Sequence, residues 1–369
     1  MKNPIKNLQI QNFKSIKDIE LDCKRINIFI GKPNVGKSNV LEALSLFSAP
    51  YCSTFHFPND TYKYLSEYIR YDNLSNLFYF QETKNPISVV SNIGIANLRY
   101  HKGQVNTFDL VLSGDRSVLK SLDKIDHINA YAHSFRDFVK SYKAPEGTTI
   151  TPFYMPISPE GRSLDDQTRM SNIVSPVKKY EFKKNIISEN KYHFFLMPPY
   201  GNNIFTIIET NESVRNAANL FFKEYKLDFV NDVVNHKFIL QRRRNDDIFQ
   251  LPYSLTADTL QRMIFHTAAI ESNEESVLLF EEPEAHSFPP YISTLAETII
   301  ENKKNQFFIA THSPYLLTPF IEKCDYKDVA IFITTYENHQ TKVRELSKKE
   351  IDNIMDTGID LFFNIKAFS

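Results

Sequence analysis

The sequence predicts an α/β protein with a mixed sheet, on three observations. An apolar run, Ile26-Asn27-Ile28-Phe29-Ile30, stops at Gly31 and is followed from Ser38 by apolar residues at helical spacing, Val40, Leu41, Leu44 and Phe47. Two more short apolar runs, Val277-Leu278-Leu279-Phe280 and Phe307-Phe308-Ile309-Ala310, read as buried strands on either side of a helix at about 289–302. Between about 87 and 118 the chain reads instead as antiparallel strands, at Ile87–Val90, Ile93–Tyr100 and Thr107–Leu112.

The remaining elements follow in order. Residues 5–13 alternate apolar and polar, as a half-buried strand does. Residues 144–163 are rich in Pro, Gly, Ser and Thr and read as a surface connection. A helix is expected at about 213–225, and strands over 227–253 with a hairpin turn at Asn245-Asp246-Asp247. Helical spacing returns from 255 to Ile270, with Thr256 or Asp258 as its N-cap, and the chain ends in a strand and a helix. No repeat or sustained heptad is present, so the stretch between 50 and 250 reads as a folded lobe and not a coiled-coil arm.

Composition narrows the class. The 369 residues suffice for one large domain with insertions or for two packed lobes, and 42% hydrophobic against 24% charged residues is an ordinary globular balance, so disorder is not the default reading. The formal charge of −1 gives no overall attraction to nucleic acid or membrane, while leaving room for a local basic face. Cys23, Cys52 and Cys324 lack metal-ligand spacing, and their odd number suits a reducing compartment. Met1 to Ser15 is polar and no apolar run reaches the length of a membrane span, so a cytoplasmic protein is expected.

Three segments carry chemistry. Gly31-Lys32-Pro33-Asn34-Val35-Gly36-Lys37-Ser38 fits G-x-x-x-x-G-K-[ST], in which backbone N–H groups wrap a phosphate, Lys37 reaches the β and γ oxygens and Ser38 ligates Mg²⁺. Asn34 suits such a loop because Asn tolerates left-handed backbone. The strand ending in Glu281-Glu282 offers one carboxylate to Mg²⁺, directly or through water, and one to an attacking water; Glu281 is assigned to the metal and Glu282 to the water as general base. Thr311-His312-Ser313 follows the second buried strand, where His312 can sense a γ-phosphate.

Taken in order, these segments resemble the ABC/SMC/RecF-like ATPases, and more closely the OLD-like and RecF-like bacterial group with an E-P-E-x-H segment. The matching residues are Asn12-Phe13-Lys14-Ser15-Ile16, Gly31 to Asn39 continuing Val40-Leu41-Glu42-Ala43-Leu44, Glu281-Glu282-Pro283-Glu284-Ala285-His286, and Thr311-His312-Ser313-Pro314. The resemblance covers about 1–50 and 250–345. It implies an ABC-type P-loop ATPase head over 1–50 and 250–369, with 51–249 supplying strands of the head plus an inserted α+β lobe. It implies ATP and Mg²⁺ as ligands, and it adds Lys14 and Asn39 to the nucleotide site. It also places Leu255-Thr256-Ala257-Asp258-Thr259-Leu260-Gln261-Arg262 where the family has a signature that touches the nucleotide of the opposite subunit. Thr256 keeps the hydroxyl of that signature and Arg262 its arginine, whereas Asp258 stands where the family has glycine.

A loop and a signature that act in trans imply a homodimer or higher homo-oligomer with ATP sandwiched between copies. The function implied first is an ATPase subunit that regulates a separately encoded effector, such as a nuclease, in bacterial antiphage defence. In OLD-like relatives a TOPRIM nuclease follows the ATPase. Here about fifty-five residues follow His312, and Asp325, Asp328 and Glu337 lack TOPRIM-like pairing, so no fused nuclease is expected. The alternative is a RecF-like DNA-repair clamp in which Arg242-Arg243-Arg244 touches phosphates. A transporter ATPase fits less well, because the signature and the segment after Glu282 differ, and an inactive ATPase fold used as a scaffold is the purely structural reading.

Overall fold

The computed structural model describes residues 4–54, 65–102, 106–114, 150, 152–161, 164, 175–184 and 191–368. Its centre is a six-stranded sheet. In chain order its strands are β3 (Ile26–Ile30), β8 (Val177–Tyr180), β12 (Val277–Glu281), β13 (Gln306–Ala310), β14 (Val329–Glu337) and β15 (Gln340–Glu345), arranged β15-β14-β3-β13-β12-β8. All neighbours are parallel except the hairpin β14–β15. Strands covered on both faces are mostly apolar, which is why β12 and β13 read as near-continuous runs and β3 is broken only by Asn27, whose buried amide is hydrogen-bonded.

Successive side chains of these strands point to opposite layers. Phe29, Leu279, Phe308 and Phe332 pack toward α1 (Lys37–Leu44) and a second sheet. Ile28, Ile30, Phe280, Phe307 and Ile309 pack on the other side, against α3 (Ile204–Thr210), α4 (Glu212–Lys223), α5 (Asp258–Glu271), α6 (Pro289–Glu301), α7 (Pro314–Lys323) and α8 (Lys348–Thr357). A short helix, α2 (Pro50–Thr54), follows α1.

The second sheet is antiparallel. It contains β1 (Asn7–Phe13), β2 (Ile16–Asp22), β4 (Ile87–Ser91), β5 (Gly94–His101), β6 (Thr107–Ser113) and β7 (Phe153–Ile157), in the order β2-β1-β4-β5-β6-β7. A third, three-stranded sheet is built from β9 (Asp228–Asp232), β10 (Lys237–Arg244) and β11 (Asp247–Pro252), and Asn245-Asp246 forms the expected hairpin turn.

One sequence expectation about the sheets needs correction, and one strand is additional to those expected. Residues 144–163 do not form a surface connection throughout: Phe153–Ile157 is the edge strand β7, buried at all five positions. Much of the rest of that stretch lies outside the described residues. The strand β8 was not anticipated, because Val177-Lys178-Lys179-Tyr180 carries two lysines in a strand buried at every position. Buried lysines need partners. Lys178 Nζ donates to Asn273 Oδ1 at 2.6 Å and Ser276 Oγ at 2.8 Å, and Lys179 Nζ donates to the Tyr68 carbonyl at 2.9 Å.

Candidate active site

Open α/β sheets bind ligands at the carboxyl ends of their parallel strands, and here those ends are level. Glu281 of β12 pairs with Ala310 of β13, and Ala310 pairs with Phe29 of β3. The Gly31–Ser38 loop, Glu281-Glu282 and Thr311-His312 therefore leave the sheet side by side.

In the loop, Asn34 (φ 61°) and Gly36 (φ 102°) adopt left-handed backbone. Gly36 also lies so close to β15 that a Cβ would collide with the Thr341 hydroxyl. Lys32, Pro33 and Asn34 form an exposed crest, whereas Lys37 is buried. The Lys37 ammonium donates to the carbonyls of Gly31 (3.0 Å) and Lys32 (2.9 Å), closing the loop around itself. Burial pushes it down to about 8, against the pull of Glu282, Glu281 and Glu284. Helix α1 begins at Lys37 with no acidic residue in its first turn and no side chain on its N-cap. Its free N–H groups and dipole suit an anion.

The loop is braced by Thr341, which sequence reading missed, together with Ser15 and Asn39. Thr341 Oγ1 donates to the Val35 carbonyl at 2.8 Å and shares a 2.6 Å hydrogen bond with Ser15 Oγ. Asn39 Nδ2 donates to the same Ser15 oxygen at 2.7 Å. Thr341 is fully buried. No spacing or motif in the sequence links position 341 to position 35.

Glu281 meets the Ser38 hydroxyl, Arg70 Nη2 at 2.8 Å and Lys179 Nζ at 3.6 Å. Burial works to raise its carboxyl, but Lys179, Ser38 and Arg70 outweigh it and hold it below the usual carboxylate range. Glu282 is half exposed and sits on left-handed backbone (φ 44°), its N–H tied to the Ala310 carbonyl at 2.8 Å. Its carboxylate lies 3.6 Å from His312 Nε2. Burial and the charge of Lys37 keep His312 below its ordinary value despite Glu282. Glu284 steers this segment, accepting from Thr311 Oγ1 at 2.6 Å and from the His312 N–H at 3.0 Å. Its other oxygen is buried without a hydrogen bond, and burial raises its carboxyl.

Lys14 stands in the β1–β2 turn at φ 49° and pairs with Glu42, a fully buried carboxylate of α1. Glu42 also accepts from Arg70 Nε at 2.7 Å. Arg70 thus joins the P-loop helix to Glu281, from the 51–249 stretch, in which the sequence points to no residue of the nucleotide site. Beside Glu281 and Glu282 opens a cleft of about 490 Å³, whose far wall includes Arg262 and His266 of α5.

The signature-like segment is arranged differently from the expected N-cap. Ala257 is the cap and makes no side-chain bond. The Thr256 hydroxyl donates back to the Tyr253 carbonyl at 2.7 Å, because the turn Tyr253–Leu255 brings that oxygen within reach. Asp258 is the first helical residue, paired with Arg262 Nε at 2.8 Å and with Lys184 at 3.3 Å. These cations outweigh its burial and keep its carboxyl low. Among the described residues, no hydrogen bond or ion pair joins Thr256, Asp258 or Arg262 to the Gly31–Asn39 loop.

No group of three or more His, Cys, Asp or Glu among the described residues could hold a metal unaided. The Ser38 hydroxyl and the Glu281 carboxylate, hydrogen-bonded to each other, are hard oxygen ligands. Such a pair fits Mg²⁺, which takes one or two protein groups and completes its shell with phosphate oxygens and water. No described helix is long and apolar enough to cross a membrane.

The solved structures that resemble this chain include heads of SMC proteins. The SmcHead bound to the C-winged helix domain of ScpA is 14% identical, with a TM-score of 0.49, over 94% of this chain and 99% of that one. The Pyrococcus furiosus Smc head with an extended coiled coil, bound to the C-terminal domain of ScpA, is 13% identical, with a TM-score of 0.46, over 96% and 98%. The Thermotoga maritima SMC head domain is 12% identical, with a TM-score of 0.42, over 94% and 100%. A search of the curated proteins finds no match. Residues 26–318, from β3 through the loop, both acids and His312 into α7, match the family model "AAA domain, putative AbiEii toxin, Type IV TA system", and the chain belongs to that family.

Proposed function

We propose that the chain binds and hydrolyses Mg-ATP as an ABC-type head. Two copies close around the nucleotide, and closure governs a separately encoded effector in antiphage defence. The observation that carries the ATPase reading is the convergence at the sheet's carboxyl end. Lys37 feels Glu281, Glu282 and Glu284, Ser38 bonds Glu281, and Glu282 faces His312.

In the reaction, water adds to the γ-phosphorus as the bond to the β–γ bridging oxygen breaks. Glu282 takes the water's proton, and its half-exposed carboxylate is open to that water. Lys37 neutralises charge on the β and γ oxygens, and His312 donates to the γ-phosphate. Glu284 fixes the His312 backbone. Ser38 and Glu281 would hold Mg²⁺, which when bound neutralises phosphate charge.

The dimer reading rests on Thr256, Asp258 and Arg262 completing the site of a second copy. A carboxylate near a triphosphate is repulsive, and the pairing of Asp258 with Arg262 and Lys184 offsets that charge. The effector reading is supported by the family, whose description names a type IV TA system.

The test is Glu282→Gln. ATP binding is retained, turnover falls by about 10²–10⁴, and an ATP-loaded dimer accumulates that co-purifies with the product of a neighbouring gene. Normal turnover in this variant moves the base to another residue, His312 first.

One observation favours DNA as a second partner. Arg242, Arg243 and Arg244 are exposed on β10, and none is in an ion pair with a described residue. Tight, salt-dependent DNA binding without a protein partner would make that reading the better one.

A further inference from the structure

The positions of the acids fix the direction in which a nucleotide lies on the loop. Glu281, Glu282 and His312 stand at the ends of β12 and β13, on one side of β3. A γ-phosphate on the Gly31–Ser38 loop therefore points toward β13 and β12. The nucleoside leaves on the opposite side of β3, toward the β14–β15 hairpin.

On that side lies a group of rings with no assigned role. The hairpin tip, Asn338-His339, turns two residues before Thr341, the residue that braces the loop, which is about 7 Å of extended chain. Tyr79 and Phe80 are brought to the same place. The Lys14 N–H donates to the Leu77 carbonyl at 2.7 Å, Phe13 bridges Phe78, and the Tyr79 hydroxyl donates to the His339 carbonyl at 3.2 Å. The Phe80 ring lies 4.5 Å from that of Tyr79 and 6.3 Å from that of His339. Phe78 next to it is core, but Phe80 is 62% exposed and His339 is exposed too.

Phe80 also has φ 51° and Gln81 φ 59°. Left-handed backbone costs a bulky residue energy that burial normally offsets, and an exposed ring gains little from burial. An aromatic ring held in water at such a position is suited to a flat partner.

We propose that Phe80, flanked by His339 and Tyr79, is the platform on which the base of the bound nucleotide stacks, with a purine covering the ring best. This inference rests on the phosphate-loop reading above and names the residues that hold the other end of the same ligand.

The experiment is calorimetric titration of the full chain and of Phe80→Ala with Mg-ATP and, separately, with magnesium tripolyphosphate, which has the phosphates but no base. Because Phe80 is exposed, the variant is expected to keep the native melting temperature. ATP affinity is expected to fall about 10-fold, within the roughly 5- to 150-fold span of base–aromatic stacking, with tripolyphosphate affinity unchanged. Phe80→Tyr is expected to restore ATP binding. Unchanged ATP affinity in Phe80→Ala, or an equal loss for both ligands, overturns the platform while leaving the phosphate loop standing. If the unaltered chain binds neither ligand, the phosphate-loop reading falls and the platform falls with it.

Discussion

Thr341→Val tests the brace behind the phosphate loop. Valine keeps the shape of threonine and removes only its hydroxyl, so packing against Gly36 is preserved. What is lost is a 2.8 Å bond to the Val35 carbonyl and a 2.6 Å bond to Ser15 Oγ. Thr341 is fully buried and Val35 is buried too, so water cannot replace the bond to the Val35 carbonyl. An unsatisfied buried polar group costs about 1–3 kcal/mol. Ser15, which donates to Thr341, is only half-buried and can turn its hydroxyl to water, so the larger cost falls on the Val35 carbonyl. The expected total is about 2–3 kcal/mol of unfolding free energy. Mg-ATP affinity is expected to weaken as well, because Val35 sits between the crest of the loop and Gly36. Urea denaturation followed by circular dichroism measures the first effect and calorimetry the second. Thr341→Ser keeps the hydroxyl and should stay within about 1 kcal/mol of the parent. A Thr341→Val variant as stable as the parent, with unchanged ATP affinity, would refute the brace.

Two further predictions concern buried charge. Burial first, and the charge of Arg262 second, push the His266 imidazole down to about 3, so the folded state binds fewer protons than the unfolded state between that value and about 6.5. Stability from neutral His266 is complete above pH 6.5 and is lost as pH falls, at up to about 1.4 kcal/mol per unit; His266→Gln should flatten the pH 7 to pH 5 dependence of the unfolding free energy, and an unchanged slope would count against this. Glu42 is fully buried between Lys14, which is largely buried, and Arg70, which is 66% exposed. Glu42→Gln leaves the Lys14 ammonium without its partner, for an expected loss of about 2 kcal/mol, discounted from the value for a fully buried pair because Arg70 is in solvent; a denaturation midpoint equal to the parent's would contradict it.

Residues that act through local pattern were legible in the sequence. The strand–loop–helix at 26–44 and the apolar runs of β12 and β13 show in composition and spacing alone, because parallel strands covered on both faces are mostly apolar. The α/β class followed from them. Residues that act across long separations were not legible. Ser15 and Thr341 are 326 positions apart, and Arg70 and Glu281 are 211 apart, so only the folded sheet brings each pair together. The lysines of β8 hid the edge strand of the parallel sheet, since a charged pair reads as solvent-facing until its buried partners are known. Phe153–Ile157 was hidden differently, by Pro and Gly in its flanks. The first turn of α5 misled for a third reason: Thr256 and Asp258 are good capping types, but a carbonyl of the preceding turn and Arg262 compete for them and win.

The most direct measurement is Mg-ATP titration calorimetry on the full chain and on Lys37→Ala. The Lys37 ammonium is buried at the centre of the loop and is held there by the Gly31 and Lys32 carbonyls. Removing one partner of a buried, hydrogen-bonded charge pair costs about 2–5 kcal/mol, or roughly 30- to 5,000-fold in affinity. Tight binding by the parent and a loss in that range for Lys37→Ala, with the variant still folded, is the predicted result. Equal ATP affinity in the two proteins would contradict a phosphate site on the Gly31–Ser38 loop.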